Sequence, residues 1–102
     1  MRGPERQARS ALARLITQRG LLRGNLLERR RVCGKPNCRC TRGELHAGLY
    51  LVFSAGGKLR QLFVPKTWQT RVRQWVADYH AARQLLEQIS RLYFEKLRQR
   101  QD

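Results

Sequence analysis

All three cysteines of the chain lie within eight residues, and a histidine follows closely. The pattern C-x4-C-x-C-x5-H is formed by Cys33, Cys38, Cys40 and His46. Three thiolates and one imidazole suit a tetrahedral zinc ion. Glycine and proline between the cysteines favour turns that fold the segment back on itself. The pattern therefore predicts a Zn²⁺ site with these four residues as ligands.

Other interpretations of the cysteine segment stay open. Glu44, His80 or water could replace His46 as the fourth ligand. A disulfide is disfavoured, because the number of cysteines is odd and nothing suggests export. Buried core cysteines are disfavoured in a segment rich in Gly, Pro and Arg. A catalytic thiol needs an adjacent base, and neither histidine is identified as one.

The net charge points to the class of partner. The formal charge is +15, from 22 basic and 7 acidic residues. Such an excess suggests a polyanion, most simply nucleic acid. Arginine supplies most of it and pairs bidentately with phosphate and with guanine edges. Genomic base composition is the alternative reason for an arginine-rich chain. Charge alone does not separate RNA from DNA, because phosphate contacts carry little sequence information.

The densest basic cluster surrounds the cysteine segment. Its members are Arg29, Arg30, Arg31, Lys35, Arg39 and Arg42. A zinc loop would hold these charges at a defined spacing against a phosphate backbone. Arg71 and Arg73, further along the chain, are added as candidate nucleic-acid contacts. The arginines near the N-terminus fit a solvated helix face equally well.

Periodic patterns on both sides of the cysteines predict the elements that position them. Apolar residues at three- and four-residue steps predict a helix within residues 1–20, ended by Gly20. Residues 26–32 are expected to form a strand. Two apolar runs around a Gly-Gly pair, 49–53 and 59–64, predict a β-hairpin.

The hairpin contains three aromatic residues, Tyr50, Phe53 and Phe63. They could stack on bases, as sheet aromatics do in some RNA-binding modules. Core packing is the commoner role of aromatics in a small domain. The alternation of the second run is too mixed to name its buried face.

Residues 66–100 contain no Gly or Pro and keep a helical period throughout. Thr67 is the expected N-cap and Trp68 an expected core residue. An apolar stripe at heptad spacing is proposed as a partner or dimer surface; it comprises Val72, Trp75, Tyr79, Leu86, Ile89 and Tyr93. One helix would be about 50 Å long, against about 26–30 Å for a compact domain of this size. We expect a protruding helix that dimerises or docks on a protein, the alternative being a break near residues 79–82.

We predict one α+β domain over residues 1–102. It contains an N-terminal helix (1–20), a short antiparallel sheet bearing the zinc loop (26–65) and a long basic helix (66–100). No apolar run is long enough to span a membrane, so no membrane partner is expected. The arginine-rich residues 1–23 resemble a transit peptide, which is a minor alternative to a cytoplasmic location.

Motifs of catalysis are absent from the sequence. It contains no glycine loop of the Walker or dinucleotide type, no serine elbow and no paired carboxylates. Seven scattered acidic residues are few for a two-metal nuclease site. We therefore expect a protein that is not an enzyme.

Residues 32–65 resemble a family of small uncharacterised bacterial proteins that are often associated with mobile-element genes. The shared motif is Cys-Gly-Lys-Pro-x-Cys-x-Cys followed by Gly-x-x-His, here Cys33 to Cys40 and Gly43 to His46. An aromatic strand, a Gly-Lys turn and a closing Val64-Pro65 follow it. The chain departs from the family directly after His46, where Gly-Pro and an aromatic residue are expected.

The resemblance implies a zinc loop on a β-hairpin and a role in DNA transactions. The expected location is the bacterial cytoplasm, at the nucleoid if the protein binds DNA. It supplies no known activity. We predict a non-catalytic, zinc-stabilised nucleic-acid-binding protein that prefers DNA and serves as an accessory or regulatory factor of a recombinase or transposase. The alternatives are a protein-interaction adaptor that uses the long helix and an RNA-binding subunit of a ribonucleoprotein.

Overall fold

The computed structural model describes residues 3–31 and 46–100. Two α-helices flank three strands and a short 3-10 helix in the described ranges. The elements are α1 (Gly3–Gln18), β1 (Asn25–Arg31), β2 (His46–Ala55), β3 (Lys58–Val64), a 3-10 helix (Lys66–Trp68) and α2 (Gln69–Gln99). The strands form one antiparallel sheet in the order β1-β2-β3. The predicted α+β class is confirmed.

The chain forms two compact units. One comprises Arg23–Arg73 and holds the sheet, and we call it the sheet unit. The other comprises Met1–Leu22 with Gln74–Asp102, and we call it the helical unit. The first residues of α2 belong to the sheet unit and the rest of α2 to the helical unit.

Glycines with positive φ lie just before β1 and in the turn between β2 and β3. Gly56 and Gly57 join β2 to β3 with φ angles of 59° and 77°, as a type I′ hairpin turn requires. The predicted hairpin is confirmed. Gly24, just before β1, has a φ of 145°. A Cβ there would lie 2.9 Å from the carbonyl oxygen of Val52, so a residue without a side chain is needed.

The register separates two faces of the sheet. Leu49, Leu51 and Val64 are buried on one face, where Leu49 pairs with Val64. The other face carries a row across all three strands, because Leu27 pairs with Tyr50 and Tyr50 pairs with Phe63. We call this second surface the open face; its described residues include Leu27, Arg29, Gly48, Tyr50 and Phe63.

In the helical unit, α1 and α2 bury small and branched side chains. These are Ala8, Val76, Ala82 and Ile89. The connection after α1 lies close to α2, since the Leu22 amide donates to the Trp75 carbonyl at 3.1 Å. A Cβ on Gly20 would lie 2.6 Å from the Trp75 ring. Gly20 therefore follows the helix, as predicted, and also permits a close approach to Trp75.

Two expectations about the start of α2 are wrong. Thr67 is not its N-cap, because Thr67 lies inside the 3-10 helix that precedes α2, and Pro65 caps that turn. Trp68 is not a core residue, since 42% of it is exposed. The ring instead lies beneath the guanidinium of Arg71.

The alternative of a break near residues 79–82 is also wrong. α2 is continuous from Gln69 to Gln99, a helix of 31 residues. No Gly or Pro interrupts it, and its buried positions Val76, Ala82 and Ile89 lie on both sides of the expected break. The helical period of apolar residues therefore continues along the whole of α2.

Candidate nucleic-acid interface

The predicted metal ligands lie largely outside the described residues. This is the case for Cys33, Cys38 and Cys40, and also for the basic residues Lys35, Arg39 and Arg42. His46 is the first residue of β2, and its backbone pairs with Arg31. Within residues 3–31 and 46–100 no group of three His, Cys, Asp or Glu residues could hold a metal. The zinc site stays a prediction.

The three consecutive arginines are the last residues of β1. Successive side chains of a strand point to opposite faces. Arg29 is therefore on the open face and Arg30 on the other, while the Arg31 backbone pairs with His46. The sequence suggested one contiguous patch, but the strand that it also predicted puts Arg29 and Arg30 on opposite faces.

Arg29 lies opposite Gly48 in the β1–β2 register and is half-buried. Its Nε is buried and has no hydrogen-bond partner within the described part of the chain. A buried donor without an acceptor costs about 1–3 kcal/mol. A ligand that supplies an acceptor to this guanidinium would offset part of that cost.

Two aromatic rings lie beside Gly48 on the open face. The centroids of Tyr50 and Phe63 are 5.6 Å apart, with an interplanar angle of 67°, which is an edge-to-face contact. A Cβ on Gly48 would lie 3.2 Å from Tyr50 Cε2 and 3.5 Å from Phe63 Cε1. Phe63 is 59% exposed. Phe53 is separated from this pair, because its position three residues after Tyr50 puts it on the opposite face.

A cleft of about 430 Å³ adjoins this part of the sheet. Its lining residues are Glu28, Ala47, Gly48, Leu49, Phe63, Lys66, Gln69 and Arg73. Arg73 was a predicted nucleic-acid residue and is found here together with Lys66, which the sequence reasoning missed. The spacing of Lys66, Gln69 and Arg73, three and four residues apart, is the signal that could have found it.

Arg71, the other candidate on α2, has a defined position on the surface. Its guanidinium carbon lies 4.0 Å from the centroid of the Trp68 ring. A cation over an aromatic face at this distance is attracted by the ring quadrupole. Arg71 and Trp68 thus form a flat, exposed cationic stack in the sheet unit.

Charge is unevenly divided along the chain. Residues 23–73 carry twelve basic and two acidic side chains, a net charge of +10. The residues of the helical unit carry ten basic and five acidic side chains, a net charge of +5. The sheet unit therefore holds two thirds of the net charge in half of the chain.

The sequence matches a known protein family. Residues 4–74 match a family described as a domain of unknown function, DUF6788. The chain belongs to the DUF6788 family. The match includes α1 and the whole sheet unit, and it ends one residue after Arg73. Searches of curated proteins and of solved structures found no match. The expected resemblance to an uncharacterised family is confirmed by this match, whereas the zinc loop and the association with mobile elements stay predictions.

In this DUF6788 protein the helical unit uses some of its charges internally. Glu5 is buried, and Arg9 Nε donates to its Oε2 at 2.8 Å. The Tyr93 hydroxyl donates to the same oxygen at 3.3 Å, and Lys96 Nζ lies 3.9 Å from Oε1. These contacts lower the pKa of Glu5, chiefly through the hydrogen bond from Arg9. We call these four residues the Glu5 cluster.

The predicted partner stripe on α2 is only partly available on the surface. Val72 and Ile89 are buried, so they serve the core rather than a partner. Trp75 and Tyr79 are half-buried. Leu86 is exposed, and the exposed Tyr93 also contributes its hydroxyl to the Glu5 cluster. Neither helix in the described residues has the length and apolar character of a membrane span.

Proposed function

We propose that this DUF6788 protein is a non-catalytic, zinc-stabilised nucleic-acid-binding protein with a preference for DNA. The observation that carries the proposal is the uncompensated charge of the sheet unit, +10 over residues 23–73. Within the described ranges neither Arg29 nor Arg30 forms an ion pair. Guanidinium groups that lack an internal acid are suited to bidentate contacts with phosphate.

Zn²⁺ is proposed to be held by Cys33, Cys38, Cys40 and His46. The β1–β2 register supports this set, because Arg31 and His46 are paired and such Cα atoms lie about 5 Å apart. Cys33 follows Arg31 by two residues, which adds at most about 7 Å. The two-residue connection from Arg31 is therefore short enough for Cys33 and His46 to share a metal ion. A bound zinc would supply folding free energy to this segment.

The proposed context is that of an accessory or regulatory factor of a recombinase or transposase in the bacterial cytoplasm. The CGKPxCxC motif and its likeness to proteins of mobile elements support this context. An RNA-binding subunit of a ribonucleoprotein is the competing assignment. The polymer preference in the following experiment decides between them.

The test is fluorescence anisotropy on duplex DNA, single-stranded DNA and hairpin RNA across a salt series. The variant has glutamine in place of Arg29, Arg30 and Arg31. The control has glutamine in place of Arg14, Arg83 and Arg91, three exposed arginines of the helical unit. Both carry the same net charge, so any difference between them reports position.

We expect the Arg29/Arg30/Arg31 variant to reduce the magnitude of the salt slope, the slope of log K against log salt concentration, by about 2–3. The control should leave this slope nearly unchanged. Equal, small changes in both variants would mean a generic attraction and would reject the proposal. Binding that is indifferent to the polymer and gone by about 0.15 M salt would do the same.

A protein-interaction role for α2 is the second candidate. Leu86, Phe94 and Leu97 are 58%, 65% and 74% exposed. Their spacing of eight and three residues keeps them on one side of the helix. Light scattering tests homodimer formation by comparing the wild type with a variant that has serine in place of Leu86, Phe94 and Leu97. A monomer at all concentrations would exclude self-association through this surface.

A further inference from the structure

We propose that the open face of the sheet binds single-stranded nucleic acid by stacking bases on Phe63, with Tyr50 holding that ring in place. This inference rests on the proposed nucleic-acid-binding function and names the form of polymer that it would take. It depends on the described sheet residues and is independent of the zinc ligands.

The exposure of Phe63 is not explained by folding. Apolar burial on the sheet lies on the opposite face, at Leu49, Leu51 and Val64. Phe63 sits on the edge strand β3, where it is 59% exposed. A large ring left in water forgoes hydrophobic stabilisation, so a ligand that covers it gains that free energy instead.

The geometry around Phe63 suits a flat ligand. Phe63 and Tyr50 meet edge to face, and Phe63 is 59% exposed, so part of its ring surface is open to a ligand. Gly48 lies next to both rings, and a larger residue would press against them. The surface beside the rings is therefore free of side-chain bulk at this position.

Charge at the margins of this surface selects a nucleic acid over an apolar protein segment. Arg29 lies across from Gly48 on the open face. Lys66 and Arg73, together with one acid, Glu28, line the cleft that Phe63 also lines. A base carries its own phosphate to such a cationic margin, whereas an apolar peptide does not. Aromatic rings beside a basic groove are the recurring means of binding single strands.

The same chemistry disfavours a duplex. Bases in a duplex are stacked on one another and are not free to stack on a side chain. Unpaired bases can leave the stack and cover an aromatic ring. Stacking is tolerant of sequence, because every base has a π-face. We therefore expect single strands of DNA or RNA to compete effectively with duplex.

The test compares three ligands of about 12 nucleotides on the full chain. They are a single strand, the same strand with abasic sites throughout its centre, and the duplex. The abasic strand keeps every phosphate, so it removes stacking and retains charge. RNA and DNA single strands are titrated in parallel to separate the two sources of the same chemistry.

We expect the wild type to bind the abasic strand about tenfold more weakly than the intact strand. Phe63→Leu keeps an apolar side chain and should bind both strands equally, about tenfold more weakly than wild type binds the intact strand. Phe63→Trp should retain the preference. Thermal melting by circular dichroism confirms that each variant folds.

Leu62→Ala is the matched control. Leu62 neighbours Phe63 in β3 and is 57% exposed, but it lies on the opposite face. It should leave the ratio of intact to abasic binding unchanged. An equal effect of Leu62→Ala and Phe63→Leu on that ratio would overturn the assignment to the open face.

Failure of this inference is distinguishable from failure of the proposed function. If abasic and intact strands bind alike in wild type, while the Arg29/Arg30/Arg31 variant is impaired, stacking is rejected and phosphate binding survives. If no polymer binds beyond a generic attraction, the proposed function fails and the stacking surface fails with it.

Discussion

The two compact units differ in whether their described charged side chains form internal ion pairs. In the helical unit the buried Glu5 receives hydrogen bonds from Arg9 and Tyr93 and lies near Lys96. In the sheet unit Arg29 and Arg30 form no ion pair within the described residues. Part of the charge of α1 and α2 therefore stabilises the fold, whereas no described acid pairs with Arg29 or Arg30 on the sheet.

Metal removal should have the largest effect and should be confined to the sheet unit. Chelation, or Cys38→Ser, is expected to remove one Zn²⁺ per chain and to unfold the segment that the metal holds. Hydrogen exchange should show lost protection at the β1–β2 amides and retained protection in α1. Elemental analysis measures the metal. Unchanged zinc content after Cys38→Ser would remove this residue from the ligand set.

The two faces of the sheet should differ next. Leu51→Ala on the buried face is expected to lower the free energy of unfolding by about 2–5 kcal/mol, because it leaves a cavity. Leu27→Ala on the open face removes the same atoms and should cost less than about 1 kcal/mol. Chemical denaturation measures both. Equal losses would show that the open face also stabilises the fold.

Gly24 offers a backbone test of the sheet unit. Gly24→Ala should lower the free energy of unfolding by about 1–3 kcal/mol, since its φ of 145° is one that side chains rarely allow. The added Cβ would also approach Leu51 and the Val52 carbonyl. Gly3→Ala is the control, because nothing lies within 4 Å of its Cβ position. A harmless Gly24→Ala would contradict this close approach.

Single charge changes sharpen the contrast between the units in binding. Arg29→Gln should reduce the magnitude of the salt slope for nucleic-acid binding by about 1, as expected for one lost phosphate contact. Arg83→Gln, an exposed arginine of the helical unit, should leave the slope unchanged. Anisotropy across a salt series measures both. A larger effect of Arg83→Gln would indicate that the nucleic-acid interface lies on the helices instead.

The smallest effect is expected in the pH dependence of the helical unit. The pKa of Glu5 is below its ordinary value of 4.5, because Arg9 and Tyr93 donate to the carboxylate. The folded state therefore binds the proton more weakly than the unfolded state. The contribution of Glu5 to stability is present above pH 4.5 and is lost as the pH falls through the lowered pKa.

Glu5→Gln should thus flatten the decline of the melting temperature between about pH 6 and about pH 3. Glu87→Gln, at an exposed position of α2, serves as the control and should preserve the decline. Identical profiles for wild type and Glu5→Gln would mean that the Glu5 cluster does not stabilise the folded state through its charge.

Local chemistry made the elements predictable. The pair Gly56-Gly57 between two apolar runs indicated a hairpin because few other residues adopt positive φ at both central positions. The unbroken helical period of residues 66–100 indicated a long helix. Such a period depends only on residues three or four positions apart, so it is visible in the sequence. Element boundaries were less well predicted, since the 3-10 turn at Lys66–Trp68 displaced the expected N-cap.

The class of elements, their order, the excess of positive charge and the spacing of the four candidate zinc ligands could all be predicted from the sequence alone. Each of these depends on residue type and short-range spacing. Packing in the folded chain determines that Leu49 and Leu51 are buried and that Phe63 is exposed. The register also puts Arg29, and not Arg30, on the face that carries Phe63. The physical reason is that burial depends on which strands pair and in what register, and no local pattern contains that information.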